Sequence, residues 1–404
     1  MKRWIKNKIN DFSKWTLWQD ESSKLLAQEQ SAWDFAPQGR FTLQLKNKQG
    51  FPLVDVPVSL VTPKGTTVWK AKTDNTGKAE LWAEQDSIKI TNFNNLTIVI
   101  SQKENPRVIN IEYEKRFAFK AVELNASCTA SPNVDIAFVV DATGSMGDEI
   151  RYLKEEMNDV MFQSKQAFPS LKFRYANVFY RDQGDEYLYK TQPFTSTLSE
   201  SSAFISAQRA GGGGDYEEAV EIGLEQAIDS LKWSDDARAR ILFIILDAPP
   251  HNTYDNRKKM KKLAKKAAAK GIRIIPIAAS GINKGTELLM RSMALCTNGT
   301  YLFITDHSGV GGSHIKPTTD TFTVKSLNQL MVQTIKNQIE VMDCQKQEEL
   351  LNNTNLTASV DTVINIIQLP TNPADSAIAN QDSIKRLLFN WAHYPNPSSG
   401  IVYF

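Results

Sequence analysis

Two hydrophobic patterns divide the chain, and the change between them falls near residue 130. From about Arg40 to Leu124, apolar and polar residues alternate, as they do over Phe41–Leu45. This period of two is typical of short strands with one buried face, and turn signals such as Asp74–Gly77 separate them. The pattern predicts a small antiparallel β-sandwich over residues 38–126.

After Val134 the pattern changes to short, continuous apolar runs that alternate with helical periods. Runs of this length, rich in branched residues, are typical of buried parallel strands. The predicted strands are Ile136–Val140, Phe173–Tyr180, Ile241–Leu246, Ile272–Ala278 and Thr300–Ile304, with Tyr187–Phe194 as an antiparallel edge. The predicted helices include Arg257–Lys270, Thr286–Leu295 and Val324–Met342. The alternation predicts an α/β domain with a doubly wound, mostly parallel sheet over residues 131–343.

Both ends of the chain lack these periods. Residues 1–37 are polar with scattered tryptophans, which predicts an amphipathic arm that packs its indoles on the next domain. Residues 344–392 have the composition of a linker. Residues 393–404 contain a Pro-Asn-Pro turn before a short apolar run, and we treat them as a separate terminal segment.

Composition excludes several classes of protein. The 404 residues carry 47 basic and 45 acidic side chains, so charge gives no reason to expect a nucleic acid as partner. The basic residues of Arg257–Lys270 surround an apolar face, which predicts an ordinary solvated helix surface. No stretch is apolar and long enough for a transmembrane segment, and no signal peptide precedes the arm.

The candidate chemistry follows the first strand of the α/β domain. Asp141 ends the strand, and the hydroxyls of Thr143 and Ser145 follow at alternate positions. In open α/β sheets, ligands bind at the carboxyl ends of the strands. Hard oxygen donors with few charges suit Mg²⁺, which prefers one or two carboxylates. The sequence therefore predicts a magnesium site here.

This motif resembles the metal-ion-dependent adhesion site of the von Willebrand factor A domain. Three later segments resemble one subgroup of that family: Tyr180–Asp182, the loop Gly212–Asp215, and Asp247–His251. The resemblance implies that Asp141, Thr143 and Ser145 hold the cation, with Asp215 and Asp247 as direct or water-mediated ligands. Asp215 stands where integrin-type domains have threonine, and the added charge would suit Mn²⁺ or Ca²⁺ as well as Mg²⁺.

The resemblance implies a divalent-cation-dependent binding or adhesion protein whose ligand is a protein or glycan, with an acidic group of the ligand completing the metal site. We find no nucleophile or general base in a second cleft, and so expect no enzyme. Two alternatives stay open. One is a non-catalytic, metal-dependent recruiting subunit of an enzyme complex, and the other is a structural surface protein with a degenerate metal site.

Further resemblances bear on location. Tyr394–Gly400 resembles the start of a C-terminal sorting domain of type IX secretion, used by Bacteroidetes-type bacteria. The predicted sandwich resembles carboxypeptidase-regulatory-like or Ig-like modules of secreted bacterial proteins. Together they imply an extracellular or cell-surface protein, and in that case the sequence is truncated at both ends. A cytoplasmic location is the alternative.

The redox state of the three cysteines, Cys128, Cys296 and Cys344, distinguishes an extracellular from a cytoplasmic location. Many secreted von Willebrand factor A domains are clasped by a disulfide at their two ends, and the resemblance implies such a bond between Cys128 and Cys344. Cys296 follows a helical apolar pattern and is predicted as a buried free thiol. The alternative is three reduced thiols in a cytoplasmic protein.

Overall fold

The computed structural model describes residues 6–9, 11–12, 18, 24, 27–35, 37–84, 92–101, 107–113, 117–304, 314–315, 318 and 323–341. Fifteen strands occur in this part of the chain: β1 (Lys6–Ile9), β2 (Gln38–Asn47), β3 (Pro57–Val61), β4 (Thr67–Lys72), β5 (Lys78–Glu84), β6 (Thr97–Ile100), β7 (Arg107–Asn110), β8 (Phe117–Leu124), β9 (Asn133–Asp141), β10 (Lys172–Tyr180), β11 (Tyr189–Thr195), β12 (Ala239–Leu246), β13 (Ile272–Ala278), β14 (Tyr301–Ile304) and β15 (Thr323–Lys325). The α-helices are α1 (Ala27–Trp33), α2 (Gly147–Ala167), α3 (Leu198–Ala207), α4 (Val220–Glu225), α5 (Tyr254–Lys270), α6 (Lys284–Cys296) and α7 (Leu327–Ile339).

The largest sheet has eight strands in the order β11-β10-β9-β12-β13-β14-β1-β15. Its five central strands, β10, β9, β12, β13 and β14, are parallel to one another. Strands β11, β1 and β15 pair antiparallel with their neighbours. One face packs on α2, α3 and α7, and the other packs on α4, α5 and α6. Because helices cover both faces, the central strands are buried along almost their whole length. The prediction of a doubly wound, mostly parallel α/β domain is confirmed.

Helix α7 begins three residues later than predicted. Ser326 accepts a hydrogen bond from the backbone N–H of Gln329, and the Gln329 side chain accepts one from the Ser326 backbone N–H. This capping box satisfies two N–H groups that a helix start leaves unpaired, so it fixes where the helix begins. Residues 323–325 precede the cap and extend the large sheet as β15.

The strands before residue 125 form a three-stranded sheet, β5-β2-β8, and a four-stranded sheet, β4-β3-β6-β7. All pairs are antiparallel except β2 with β8, which run parallel. The side chains of Leu43 and Leu60, one from each sheet, are fully buried in a shared apolar core. These sheets dock on the α/β domain through Asp55, whose carboxylate accepts hydrogen bonds from both Nη atoms of Arg240 at 2.6 and 2.9 Å.

The described residues of the N-terminal segment contact the α/β domain, and Phe12 also lies 4.9 Å from the guanidinium of Arg40 in the sandwich. Strand β1 pairs with β14 and β15 inside the large sheet. Asp11 accepts a hydrogen bond from Arg291 Nε at 2.9 Å, and the guanidinium of Arg291 lies 4.4 Å from the ring centroid of Trp18. Trp33, also buried, lies beside Gly285 at the start of α6.

Two of the cysteines can be described. Cys128 is disulfide-bonded. Cys296 is a free and buried thiol, as predicted. Cys344, which the sequence predicts as the partner of Cys128, lies outside the described residues, as do the linker and the segment 393–404.

Among the helices described, none combines the length and the apolar character needed to cross a lipid bilayer.

Candidate metal centre

The centre is built on the carboxyl end of β9. Asp141 is fully buried, and its Oδ1 accepts hydrogen bonds from the backbone N–H of Thr143 at 2.9 Å and from the Thr143 hydroxyl at 2.7 Å. The hydroxyl of Tyr180, at the end of the neighbouring strand β10, donates to Asp141 Oδ2 at 3.3 Å. The carboxylate is therefore held at both oxygens. A single 3₁₀ turn over Gly144–Met146 then leads directly into α2.

Asp247 comes to the same place from β12, which is parallel to β9 and ends at the same edge of the sheet. Its carboxylate lies beside the Ser145 hydroxyl, and Ser145 Oγ lies 3.3 Å from Thr143 Oγ1. Asp247 Oδ1 is buried without a hydrogen-bond partner. Two carboxylates and two hydroxyls thus meet above adjacent strands.

A glycine-rich loop closes the side of the centre. Gly212 and Gly213 have φ angles of +76° and +74°, a left-handed conformation that glycine adopts at low cost. The carbonyl of Gly212 accepts a hydrogen bond from the Gly144 N–H at 3.1 Å, which places the loop against the 3₁₀ turn. A β-carbon on Gly213 would lie 3.0 Å from Glu218 Oε1 and 3.4 Å from Thr143 Cβ, so no side chain fits between them.

Glu218 is a member of this centre that the sequence analysis did not select. It is buried beside the Thr143 side chain, and its Oε2 has no partner. A backbone bridge to Pro250, in the loop after β12, fixes its position. The loop that resembles the subgroup continues through Tyr216 and Glu217 to Glu218, and Glu217 stands where that subgroup commonly has proline. Glu217 is half-exposed.

Without a bound cation, ionising the carboxylates of the centre costs free energy. Burial raises the pKa of Asp141, and the nearby charge of Asp247 raises it further. Burial likewise raises the pKa of Asp247, with Glu149 adding to the shift. Burial, and then Asp141 and Asp182, raises the pKa of Glu218 to about 8. A positive charge at the centre would relieve this repulsion.

Asp215, the fifth predicted ligand, lies elsewhere on the same face. Its carboxylate groups with Asp182 and His251, and one potential ligand atom from each of these side chains lies within 4.8 Å of the others. The structure thus brings together Asp141, Thr143, Ser145 and Asp247, and it places Asp215 in a neighbouring cluster.

The donor set fits a hard divalent cation. All its members offer oxygen, which Mg²⁺, Mn²⁺ and Ca²⁺ prefer. Buried carboxylate oxygens are normally paired, so the unpartnered Oδ1 of Asp247 and Oε2 of Glu218 call for an explanation. A cation held by Asp141, Thr143, Ser145 and Asp247, with Glu218 beside them, would supply the missing partner.

The model of the von Willebrand factor A (VWA) domain family matches residues 135–316. This stretch forms most of the α/β unit, and the chain therefore carries a VWA domain. Domains of this family generally mediate protein interactions and adhesion, and they often bind a divalent metal.

Two curated proteins are similar over part of this chain. An alpha-protein kinase of Dictyostelium discoideum is 30% identical over 159 residues, which are 39% of this chain and 24% of the kinase. An ariadne-like RING finger protein of Acanthamoeba polyphaga mimivirus is 30% identical over 126 residues, which are 31% of this chain and 12% of that protein. The chain thus spans a quarter or less of the length of each relative.

Among solved structures, the conserved hypothetical protein BatB from Bacteroides thetaiotaomicron is similar at 16% identity and a TM-score of 0.31, covering 43% of this chain and 89% of that one.

Proposed function

Because the chain carries a VWA domain, we propose that it is a divalent-cation-dependent binding protein, active in adhesion, that engages a protein or glycan through the metal centre. The observation that carries this proposal is the meeting of Asp141, Thr143, Ser145 and Asp247 around the unpartnered Asp247 Oδ1. Mg²⁺ is the cation we expect, with Mn²⁺ and Ca²⁺ as alternatives.

The side chains of the centre have separate tasks in this proposal. Thr143 and Tyr180 fix the orientation of Asp141, and the Ser145 hydroxyl lies beside Asp247. Because these groups are already oriented, little conformational entropy is lost on binding. The cation would add positive charge and open coordination positions, to which an acidic group of the partner could bind.

We further propose an extracellular or cell-surface location. The disulfide at Cys128 supports it, because such bonds persist mainly in oxidising compartments. The resemblance of Tyr394–Gly400 to a type IX sorting domain points the same way, although those residues lie outside the part described. A cytoplasmic location is the alternative.

The recruiting-subunit alternative draws support from the relatives, one named as a kinase and the other as a RING finger protein. In that case the VWA domain would present a partner to an enzyme while taking no part in the chemistry. The balanced charge of the chain gives no support to a nucleic-acid partner in either case.

Cation binding is tested by thermal unfolding with Mg²⁺ or Mn²⁺ against EDTA. A ligand that binds only the folded state stabilises it by about 2.7 kcal/mol at roughly 100 times its Kd. Asp141→Ala should remove this gain. Asp148→Ala should keep it, because Asp148 is an exposed acid in the first turn of α2. Wild-type protein that binds neither cation at millimolar concentration would disprove the proposal. A pull-down with and without EDTA would then identify the partner.

A further inference from the structure

We propose that the protein holds a second metal ion, a zinc-class dication, at a histidine cluster formed by Asp182, Asp215 and His251. The three residues come from three different loops on the face that carries the first centre. Their potential ligand atoms lie within 4.8 Å of one another. The cluster shares no residue with the four that hold the proposed first cation, so the two proposals stand independently.

The imidazole of His251 is oriented as a metal-binding histidine usually is. Its Nε2 points into the cluster, 2.8 Å from Asp182 Oδ1, and its Nδ1 lies 3.5 Å from Glu217 Oε2 on the other side. Metal-bound histidines commonly donate their second N–H to a carboxylate, which fixes the ring and its tautomer. The Asn252 N–H donates to Glu217 Oε1 at 3.3 Å and so helps to keep this carboxylate in place.

The backbone of His251 is also fixed. Its carbonyl accepts hydrogen bonds from the Thr253 N–H at 2.9 Å and from the Asn256 side-chain amide at 3.0 Å. Thr253 is in turn the N-cap of α5, so the ring is attached to the start of a long helix. A ligand held in this way loses little freedom when it binds a metal.

The two carboxylates differ in mobility. Asp182 is 7% exposed, and its backbone N–H donates to Asp185 Oδ2 at 3.1 Å. Asp215 is exposed at the end of the glycine loop. The cluster therefore has two fixed ligands and a third that can move in from solvent. This arrangement gives a metal ion a route of entry.

A buried carboxylate behind the cluster is an independent indication of a missing cation. Glu221, in the first turn of α4, is 1% exposed, and its Oε2 has no hydrogen-bond partner. Lys259 acts on it electrostatically first, and His251 and Asp182 of the cluster do so as well. Buried carboxylate oxygens are normally paired, and a dication in the cluster would offset this negative charge.

The donor chemistry selects the ion. One imidazole nitrogen and two carboxylate oxygens suit Zn²⁺, which often takes three protein ligands and leaves a position open. Mg²⁺ prefers oxygen alone, so the two sites would select different ions from a mixture. Glu218 interacts electrostatically with Asp141 of the first site and Asp182 of the second.

The test is a titration of full-length protein without a histidine tag with Zn²⁺, in saturating Mg²⁺, followed by equilibrium dialysis and metal analysis. We expect one Zn²⁺ per chain. His251→Gln and Asp215→Asn should each weaken Zn²⁺ binding roughly tenfold or more, and Glu217→Gln should weaken it about tenfold. Because Asp215 is exposed, its variant should keep the fold even if the His251 variant does not.

Two controls distinguish the sites. Glu186→Gln removes an exposed carboxylate near Asp182 that is outside the cluster, and it should leave Zn²⁺ binding unchanged. Asp141→Ala should abolish the response to Mg²⁺ and keep the Zn²⁺. Zinc that is lost in Asp141→Ala and kept in both cluster variants would overturn the second site and leave the first standing. Stoichiometric Zn²⁺ without any response to Mg²⁺ or Mn²⁺ would support the second site and overturn the first. Binding of none of these three ions would overturn both.

Discussion

At the residue scale, the first centre combines an oriented carboxylate with an electrostatic cost. Thr143 and Tyr180 supply the hydrogen bonds that orient Asp141, yet burial still raises its pKa. Burial and the neighbouring acids likewise raise the pKa of Glu218, from 4.5 to about 8. Without a metal ion, these carboxylates therefore tend to hold protons. In the metal-bound protein, a cation would take the place of the protons.

This competition gives a prediction for pH. In EDTA, the folded state keeps protons between pH 4.5 and about 8 that the unfolded chain has released. Because the folded state then binds more protons, the free energy of unfolding should fall as pH rises through this window. Urea unfolding at several pH values would measure the fall. Glu218→Gln should reduce it, whereas Asp148→Asn, at an exposed acid, should not. A free energy independent of pH would contradict the prediction.

The sequence alone identified the residues whose chemistry is tied to a strand end. Asp141, Thr143, Ser145 and Asp247 directly follow buried strands, and parallel strands place their carboxyl ends at one edge. Glu218 could not be distinguished from Glu217 in this way. Its position depends on the path of the glycine loop and the bridge to Pro250, which are tertiary features.

At the scale of elements, α4 supports the centre by packing closely on the end of β10. A β-carbon on Gly223 would lie 2.5 Å from Tyr180 Cδ1 and 3.1 Å from Val139 Cγ1. The helix can approach the sheet this closely because position 223 has no side chain. Tyr180, which donates to Asp141, is fixed by the same contact.

Gly223→Ala should therefore destabilise the protein, although alanine favours helices by about 1 kcal/mol over glycine. Overpacking in a buried site typically costs about 1–3 kcal/mol, and both Tyr180 and Val139 are fully buried. Chemical unfolding measures the loss. Gly147→Ala is the matched control, since a β-carbon there meets nothing within 4 Å and the φ angle is already helical. Equal stability of the two variants would show that the helix can shift away.

The strand predictions succeeded where helices bury both faces of a strand. They failed where a strand is short and carries no hydrophobic period. The central strands read as continuous apolar runs because helices cover both faces of the sheet. Strand β1 has the sequence Lys-Asn-Lys-Ile, and β15 has three residues, so neither carries a recognisable period. Their pairing in the large sheet depends on partners far along the chain.

At the scale of the whole molecule, a buried ion pair joins the sandwich to the VWA domain. The Arg240 side chain is 3% exposed, and Asp55 is its carboxylate partner. Asparagine tolerates the left-handed backbone conformation that position 55 has, with φ at +62°. Asp55→Asn therefore removes the charge without straining the backbone. Leaving a buried charge unpaired costs about 3–5 kcal/mol, so we expect a lower or divided melting transition.

Asp34→Asn is the control for this change. Asp34 also has a positive φ and also pairs with a basic residue, Lys261, but its side chain is 78% exposed. Exposed ion pairs contribute about 0–1 kcal/mol, so calorimetry should show almost no shift. Equal effects at both positions would mean that the ion pair at Asp55 does not hold the domains together.

The disulfide gives a further prediction at this scale. We expect peptide mapping under non-reducing conditions to recover Cys128 joined to Cys344. The bond would close a loop of more than 200 residues, for which the chain-entropy model gives roughly 5 kcal/mol. Cys128→Ser should lower the melting temperature, and Cys296→Ala should keep the crosslink. Freely alkylated Cys128 and Cys344 in protein secreted by its own host would refute the pairing.

Strand β1 has a consequence for the order of assembly during synthesis. Residues 6–9 leave the ribosome before the strands they pair with, since Lys6 pairs with Ile304 on one side and Lys325 on the other. The sandwich strands can pair while translation continues, but β1 must wait for about 300 further residues. Such distant pairing slows folding, because closing the long intervening loop costs conformational entropy before the new contacts can offset that cost. Until then β14 presents an open edge, and edges of this kind promote aggregation. Strand β1 is therefore made long before it can take its place in the sheet, and a fragment that starts at residue 131 would leave that edge of β14 open permanently.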